Sequence, residues 1–189
     1  GTTIAQSDNR IATIVGDPLY GFGIDPSAPV GAVYLYVKNY SDQYAPISPV
    51  ADGDGIITLS CPGSVGFGSA VDFGGQTWAV AGANLSVGYY GEQNIGYAAI
   101  IYRDPTLGSP GEIPYTVSQL ILAQDNNGNF EYVQGKFGSS VAMSDDERWL
   151  YIGSPSYNKV YAYGKVDWQD QIVSALGDSV TTNYYFKDV

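Results

Sequence analysis

The residues that could do chemistry in this chain are carboxylates, asparagines and aromatics. There is no histidine, and Cys61 is the single cysteine. A Ser-His-Asp or Cys-His arrangement is therefore excluded within the sequence. So are zinc sites built on histidine or on several thiolates. Hard cations need several oxygens at alternating positions of a turn. Two stretches offer that: Asp52-Gly53-Asp54, and Asp125, Asn127 and Asn129 with Glu131. Both are candidate calcium sites, and both read equally as solvated β-turns. Asp125-Asn126-Asn127-Gly128 is itself a hairpin-turn sequence. Paired carboxylates can hydrolyse glycosides, and Asp145-Asp146 is the obvious pair. It sits in a tight polar turn beside Glu147, where solvated charge is expected. No glycine-rich phosphate loop followed by Lys and Ser or Thr occurs. The chain is read as non-enzymatic.

Aromatics are the remaining resource. Tyr89, Tyr90, Asn94, Tyr157 and Trp168 lie in or beside turn-rich stretches. Aromatic faces next to Asn and Asp suit recognition of sugar or protein. Tyr34, Tyr36, Tyr161 and Tyr163 alternate along apolar runs instead and read as packing. Asn39-Tyr40-Ser41 and Asn84-Leu85-Ser86 match the glycosylation acceptor pattern. Eight basic residues against 19 acidic give a net charge of -11. That opposes nucleic acid, which needs clustered Lys and Arg, and suits a highly soluble surface. A lone cysteine makes no internal disulfide. No apolar run approaches the ~20 residues that span a bilayer, so membrane insertion is not expected, and no signal segment opens the chain.

The elements that must position these residues repeat. Phe137-Gly138 is followed by Val141 to Met143, the turn Ser144 to Glu147, the run Trp149 to Ile152, then Gly153-Ser154-Pro155 and the run Lys159 to Tyr163. Val, Tyr and Trp suit pleated, half-buried strands, and Gly, Asp, Ser and Pro suit the turns. Gly1 to Pro18 falls on Gly138 to Pro155 without gaps. Ser7-Asp8 lands on Ser144-Asp145, and Gly16 on Gly153. Phe67-Gly68 opens another copy, with Trp78 to Ala81 as second strand and Gly82-Ala83-Asn84 as its end. Third strands are expected at Val33 to Val37 and Ala98 to Tyr102, and fourth strands at Ile56 to Leu59 and Ile172 to Leu176, while Ser118 to Gln124 and then Asn129 to Gln134, flanking the hairpin turn, complete the second repeat. Gly21-Phe22-Gly23 imitates an opening but precedes no strand, and reads as a loop. The repeats are 1–67, 68–137 and 138–176, with 177–189 opening a further repeat or module. Because the alignment starts inside a repeat, Gly1 is expected to be internal to a longer polypeptide.

Four short strands recurring every 67 to 70 residues, counted between Gly1, Gly68 and Gly138, are the pattern of propeller blades. The order Phe-Gly, strand, strand, Gly-x-Pro, strand resembles the FG-GAP repeat of integrin-type β-propellers. The resemblance implies an all-β fold of propeller-type blades, each of about four antiparallel strands. Integrin-like copies often carry an Asp-rich calcium loop between the first two strands. Here those turns, Ser7 to Asn9, Phe73 to Gly75 and Asp145 to Glu147, are too short or too poor in carboxylates. Three blades fall short of the ~4–8 of a closed ring, so other parts of the polypeptide or other chains would supply the rest. The stretch FGSSVAMSDDERWLYIGSPSYNKVYAY is also similar to repeats in large structural proteins of tailed bacteriophages, including those of marine cyanobacteria. That resemblance implies a virion tail, fibre or decoration component, partnered by other virion proteins, by copies of itself, and by a host surface protein or glycan. The rival readings are an integrin-like cell-surface adhesion domain and the non-catalytic part of a glycan-active propeller enzyme. In each, function falls on the loops that differ between repeats: Leu19 to Pro29, Leu85 to Gly96 and Arg103 to Tyr115.

Overall fold

The structure is a computed structural model, and it describes residues 3–8, 12–21, 30–38, 44–46, 56–57, 65–85, 95–103, 115–123, 135–167 and 184–188. All regular elements among them are strands, apart from one 3₁₀ turn at Pro155–Tyr157. No helix among the described residues is long and apolar enough to cross a membrane.

Among the described residues thirteen strands form three antiparallel sheets, none closed into a barrel. The first sheet holds β1 (Thr3–Gln6), β2 (Ala12–Asp17), β3 (Ala32–Lys38) and β4 (Tyr44–Pro46), with β5 (Ile56–Ile57) also paired to β3. The second is β6 (Phe67–Gly74), β7 (Trp78–Ala83), β8 (Tyr97–Arg103) and β9 (Tyr115–Ile121). The third is β10 (Ser140–Met143), β11 (Trp149–Ser154), β12 (Lys159–Asp167) and β13 (Tyr184–Asp188). The first three strands of each sheet stand where the repeat places them. The fourth strands do so only in part. In the first sheet Ile56–Ile57 pairs with β3 as expected, the rest of the expected run to Leu59 lies outside the described residues, and Tyr44–Pro46 pairs further along β3. In the second, β9 begins three residues before the expected Ser118, and Asn129 to Gln134 lies outside the described residues. In the third, Ile172 to Leu176 lies outside the described residues, and Tyr184–Asp188 takes the place beside β12. β4, β9 and β13 each open on a tyrosine, Tyr44, Tyr115 and Tyr184, but at unequal distances after the third strand.

The sheets stack in chain order, and burial follows the two-residue alternation of a strand. In β7 every residue of WAVAGA is buried. Ala79, Ala81 and Ala83 face the first sheet, against Ala12, Ile14, Val33 and Leu35. Trp78 and Val80 face the third, against Phe137, Met143, Leu150, Ile152, Tyr161 and Tyr163. A strand covered on both faces reads as a continuous apolar run, and β7 is one. The outer sheets alternate instead: β2 runs buried and half-buried by turns, and β11 begins exposed, buried, exposed, buried. The sheets approach most closely at their first strands, β6 against β1 and β2, and β10 against β6 and β7.

Each junction has the same make-up. Phe67 and Phe137 are fully buried, a contribution of about 1.5–3 kcal/mol for each ring. Phe67 packs on Tyr97, ring centroids 6.4 Å apart. Phe137 meets Tyr161 edge-on at 5.2 Å. The Phe backbone lies against the start of the preceding sheet's third strand, through parallel bridges Gly31–Phe67 and Gly96–Phe137. The next residue, Gly68 or Gly138, has φ of 87° or 85°, a region that glycine enters without steric penalty. That turns its carbonyl onto the glycine ending the preceding sheet's second strand. A Cβ on Gly16 would collide with the Gly68 carbonyl oxygen, and one on Gly82 with that of Gly138. Hydroxyls close the same gap: Thr3 Oγ1 donates to the Gly68 carbonyl at 2.9 Å, and Ser69 Oγ to the Gly82 carbonyl at 3.2 Å and the Gly138 carbonyl at 3.4 Å.

Candidate functional site

The turns that join first and second strands sit at one end of the stack, and the longer connections from second to third strands leave from the other. The turn end carries the acidic stretch. Ser144 accepts from the amides of Arg148 and Trp149 at 3.2 and 2.9 Å, and donates to Asp146 Oδ1 at 2.6 Å. Ser7 repeats the strand-opening bond by accepting from Ala12 N at 3.0 Å. This shared bond explains why the two turns match in sequence. The Ser144 hydroxyl holds the Asp146 carboxyl below the ordinary aspartate value, helped by the Arg148 amide.

Glu147 does not point to solvent. Its residue adopts φ of 59°, and Oε1 accepts from the amides of Gln76 and Thr77, in the neighbouring sheet's turn, at 2.8 and 2.6 Å. Its Oε2 lies 3.8 Å from Lys165 Nζ, with both side chains only 17% exposed. The same ammonium stands 5.1 Å over the Trp78 ring. Burial lowers the Lys165 pKa, against the pull of Glu147 and Asp146. A second carboxylate crosses the same junction: Asp72 Oδ2 accepts from Met143 N at 2.8 Å. Burial raises the Asp72 pKa, and the Met143 and Phe73 amides offset this only in part. On the other side, Asp8 N donates to the Gly75 carbonyl at 3.1 Å. The three turns are thus chained together by polar contacts.

Asp145 and Asp146 are exposed, as expected of a solvated turn, and the expectation is corrected at Glu147 alone. Asp146 is turned into its own loop, and Glu147 serves as a clamp between sheets. Neither is aimed at a shared point with the other, as an acid–base pair would be. Sequence reasoning missed the clamp because its partners, Gln76 and Thr77, are about 70 residues away and donate through backbone amides. Among the described residues, no group of three or more Asp, Glu or Cys is placed to hold a metal.

The opposite end holds exposed apolar side chains where loops leave the stack. Leu19 and Tyr20 follow β2, and Leu85 follows β7; all three are exposed. Tyr20 meets Tyr34 edge-on at 6.2 Å, and its carbonyl accepts from Gly31 N at 2.9 Å, which closes the base of that loop. In the third sheet the connection is a single turn, Pro155–Tyr157, closed by Asn158 N donating to the Pro155 carbonyl at 3.1 Å. Tyr157 sits there half-buried, with Lys159 Nζ 5.5 Å over its ring. Ser154 Oγ ties the turn back by donating to the Gly135 carbonyl at 2.6 Å.

Of the sequence-derived binding candidates, Tyr157 lies within the described residues, at this loop end. Tyr89, Tyr90, Asn94 and Trp168 lie outside them, as do the cation candidates Asp52, Asp54, Asp125, Asn127, Asn129 and Glu131. The repeat residues Gly16, Pro18, Phe67, Gly68, Gly82, Phe137, Gly138, Gly153 and Pro155 are described; Gly1 is not. The apolar trio Leu19, Tyr20 and Leu85 was not singled out from sequence. Leu19 and Leu85 each stand three residues after the glycine that ends a second strand, and that shared offset is the signal for them. No protein-family model matches the chain, and no curated protein matches it.

Proposed function

We propose that the chain is a non-enzymatic structural and adhesive component of a virion. In this reading its three sheets are consecutive FG-GAP-like propeller blades, and the loops at one end of the stack make the contacts. The observation that carries the proposal is the junction itself. The same buried Phe, the same positive-φ glycine and the same Cβ-free second-strand glycine recur between sheets one and two and between sheets two and three. Sheets that meet most closely at their first strands, with fourth strands outermost in pairing order, are what a blade arrangement would give, which supports this reading. Asp72 and Glu147 are engaged in joining sheets, which suits a scaffold. Adhesion falls to the opposite end, where Leu19, Tyr20 and Leu85 are exposed at the roots of the two long connections and Tyr157 sits on the short one. Apolar and aromatic groups on a rigid rim suit contact with a host surface protein or glycan, or with a neighbouring virion protein.

The test is mass spectrometry of purified tailed-phage particles together with labelling of the intact virion. Peptides of this chain co-purifying stoichiometrically with tail proteins support the assignment, and their absence from particles rejects it. A calcium titration separates the cell-surface alternative: a melting temperature that climbs with calcium favours an integrin-like, metal-dependent adhesin. Turnover on a glycan array would favour the glycan-active alternative.

A further inference from the structure

Glu147 and Lys165 carry more than an ion pair requires. Glu147 holds φ of 59°, a region that strains any residue with a side chain and persists where the surroundings impose it. What the position uses is the carboxyl group. Its Oε1 accepts from the amides of Gln76 and Thr77 at 2.8 and 2.6 Å. Two backbone N–H groups converging on one oxygen are the arrangement that stabilises a tetrahedral oxyanion. The other oxygen, Oε2, lies 3.8 Å from Lys165 Nζ. The Glu147 carboxyl carbon thus stands between a donor pair that polarises it and an amine that can reach it.

The amine is placed and desolvated for attack. Lys165 N donates to the Arg148 carbonyl at 2.9 Å. That bond holds β12 beside the turn that carries Glu147, so contact needs only rotation within the lysine side chain. Both side chains are largely shielded from water, and the buried Trp78 ring lies 5.1 Å from the ammonium. Burial disfavours the charged amine, and the neutral amine is the nucleophile. Taking two charges out of water is costly, and an amide in the same place carries none. Holding the groups together also replaces the bimolecular encounter that limits amide formation in dilute solution.

We propose that Lys165 and Glu147 are a modification site, joined by the folded chain itself in an intramolecular side-chain amide. A proton passes from Nζ to Oε2, which makes the ion pair a neutral amine and a neutral acid. The Nζ lone pair then attacks Cδ. A C–N bond forms, and negative charge settles on Oε1 between the Gln76 and Thr77 amides. A second proton moves from Nζ to Oε2, the C–Oε2 bond breaks, and water leaves. An ammonium and a carboxylate have become an amide and one water, with no oxidant and no activating group consumed. Oε1 remains as the amide carbonyl, so it still accepts from Gln76 and Thr77. The link ties the β10–β11 turn to the end of β12 and fixes the clamp on the second sheet. It stands on the clamp alone and does not depend on the sheets being propeller blades.

The experiment is intact-mass spectrometry of the purified chain, denatured after prolonged incubation in the folded state. The parent is expected lighter by one water than its sequence, and Lys165→Arg and Glu147→Ala at their full sequence masses. Glu147→Gln should form the same bond by losing ammonia, and so reach the same final mass as the parent. Proteolysis and tandem mass spectrometry should give a branched peptide joining Glu147 to Lys165. A succinimide at Asp52-Gly53 or Asp54-Gly55 would also lose one water, but alkaline treatment hydrolyses a succinimide and spares an amide. A parent at full mass overturns the proposal and leaves the ion pair as a clamp only. So does a water loss that persists in Lys165→Arg, or one that alkali reverses.

Discussion

Gly82→Ala tests the junction at its narrowest point. An alanine in a strand would ordinarily stabilise, since replacing Gly with Ala removes unfolded-state freedom worth about 0.4–1 kcal/mol. Here the new Cβ falls on the carbonyl oxygen of Gly138, with the Gly138 carbonyl carbon 2.8 Å away. The obstacle is backbone, so no rotamer change relieves it; the second and third sheets must separate. Separation loosens Trp78, Val80 and Ile100 from Phe137, Leu150 and Ile152, all of which are buried together. Overpacking of this kind costs about 1–3 kcal/mol. The Ser69 hydroxyl bond to Gly138, at 3.4 Å, is weakened too, which places the expected net loss near the upper half of that range, about 2 kcal/mol. For a chain of this size each kcal/mol moves the melting temperature by ~2–4 °C, so a fall of about 4–8 °C is expected. Gly153→Ala is the control. It holds the same place in the third sheet, yet its Cβ meets only the Ser140 side chain closely, the next atom being 3.7 Å away. Ser140 can rotate, so a change within ~0.5 kcal/mol, or a small gain, is expected. Both are measured by urea unfolding. The reasoning fails if Gly82→Ala stays within ~0.5 kcal/mol of its parent, or if Gly153→Ala loses as much.

Three further outcomes follow from the clamp and the buried carboxylates. Glu147→Ala leaves the Gln76 and Thr77 amides without their acceptor and should lower unfolding stability by about 1–3 kcal/mol, with Glu147→Gln losing less because it keeps a carbonyl oxygen; equal losses in the two variants would argue against the hydrogen bonds. Burial raises the folded-state pKa of Asp72, so the folded protein holds this proton more tightly than the unfolded chain. The stability that Asp72 contributes therefore falls as pH rises from the ordinary aspartate value, 3.8, through the raised one; relative to Asp72→Asn, the parent should gain stability on acidification through that window, and a flat difference would refute the assignment. Asp146 has the opposite sign: its folded pKa is lowered, so its contribution is present above 3.8 and is lost as pH falls through the lowered value. The parent-minus-Asp146→Asn difference should shrink on acidification, read from urea midpoints at each pH.

The repeat was legible because its residues answer to backbone geometry. A positive φ at Gly68 and Gly138, or a backbone contact at Gly16 and Gly82, leaves glycine as the residue that fits, so these positions announce themselves at fixed spacing. Ser7 and Ser144 were legible for the same reason, since each hydroxyl caps a strand-opening amide close by in the chain. Fourth strands were legible only in part: β9 overlaps the expected run from Ser118, but the tyrosine that opens each of β4, β9 and β13, at Tyr44, Tyr115 and Tyr184, stands at unequal distances after the third strand and so does not announce itself by fixed spacing. The clamp was hidden for a third reason. Glu147 looks like one more acid in a solvated turn until Gln76 and Thr77 are brought beside it, and amide donors leave no mark in sequence.

The middle sheet shows how far a neighbour, rather than a residue's own type, decides its role. Trp78 and Trp149 occupy the same place in their strands, and so do Val80 and Tyr151. The first of each pair is core because a third sheet lies over it; the second is surface because no described sheet does. The difference is nonetheless written in the sequence around them. β7 is apolar at every position, while β11 alternates, and its exposed positions carry a tryptophan and a tyrosine rather than charge. A solvated face favours charged and small polar residues. Large aromatics beside Val160, Ala142 and Ala162 form an exposed apolar patch, the kind of surface that marks an interaction site.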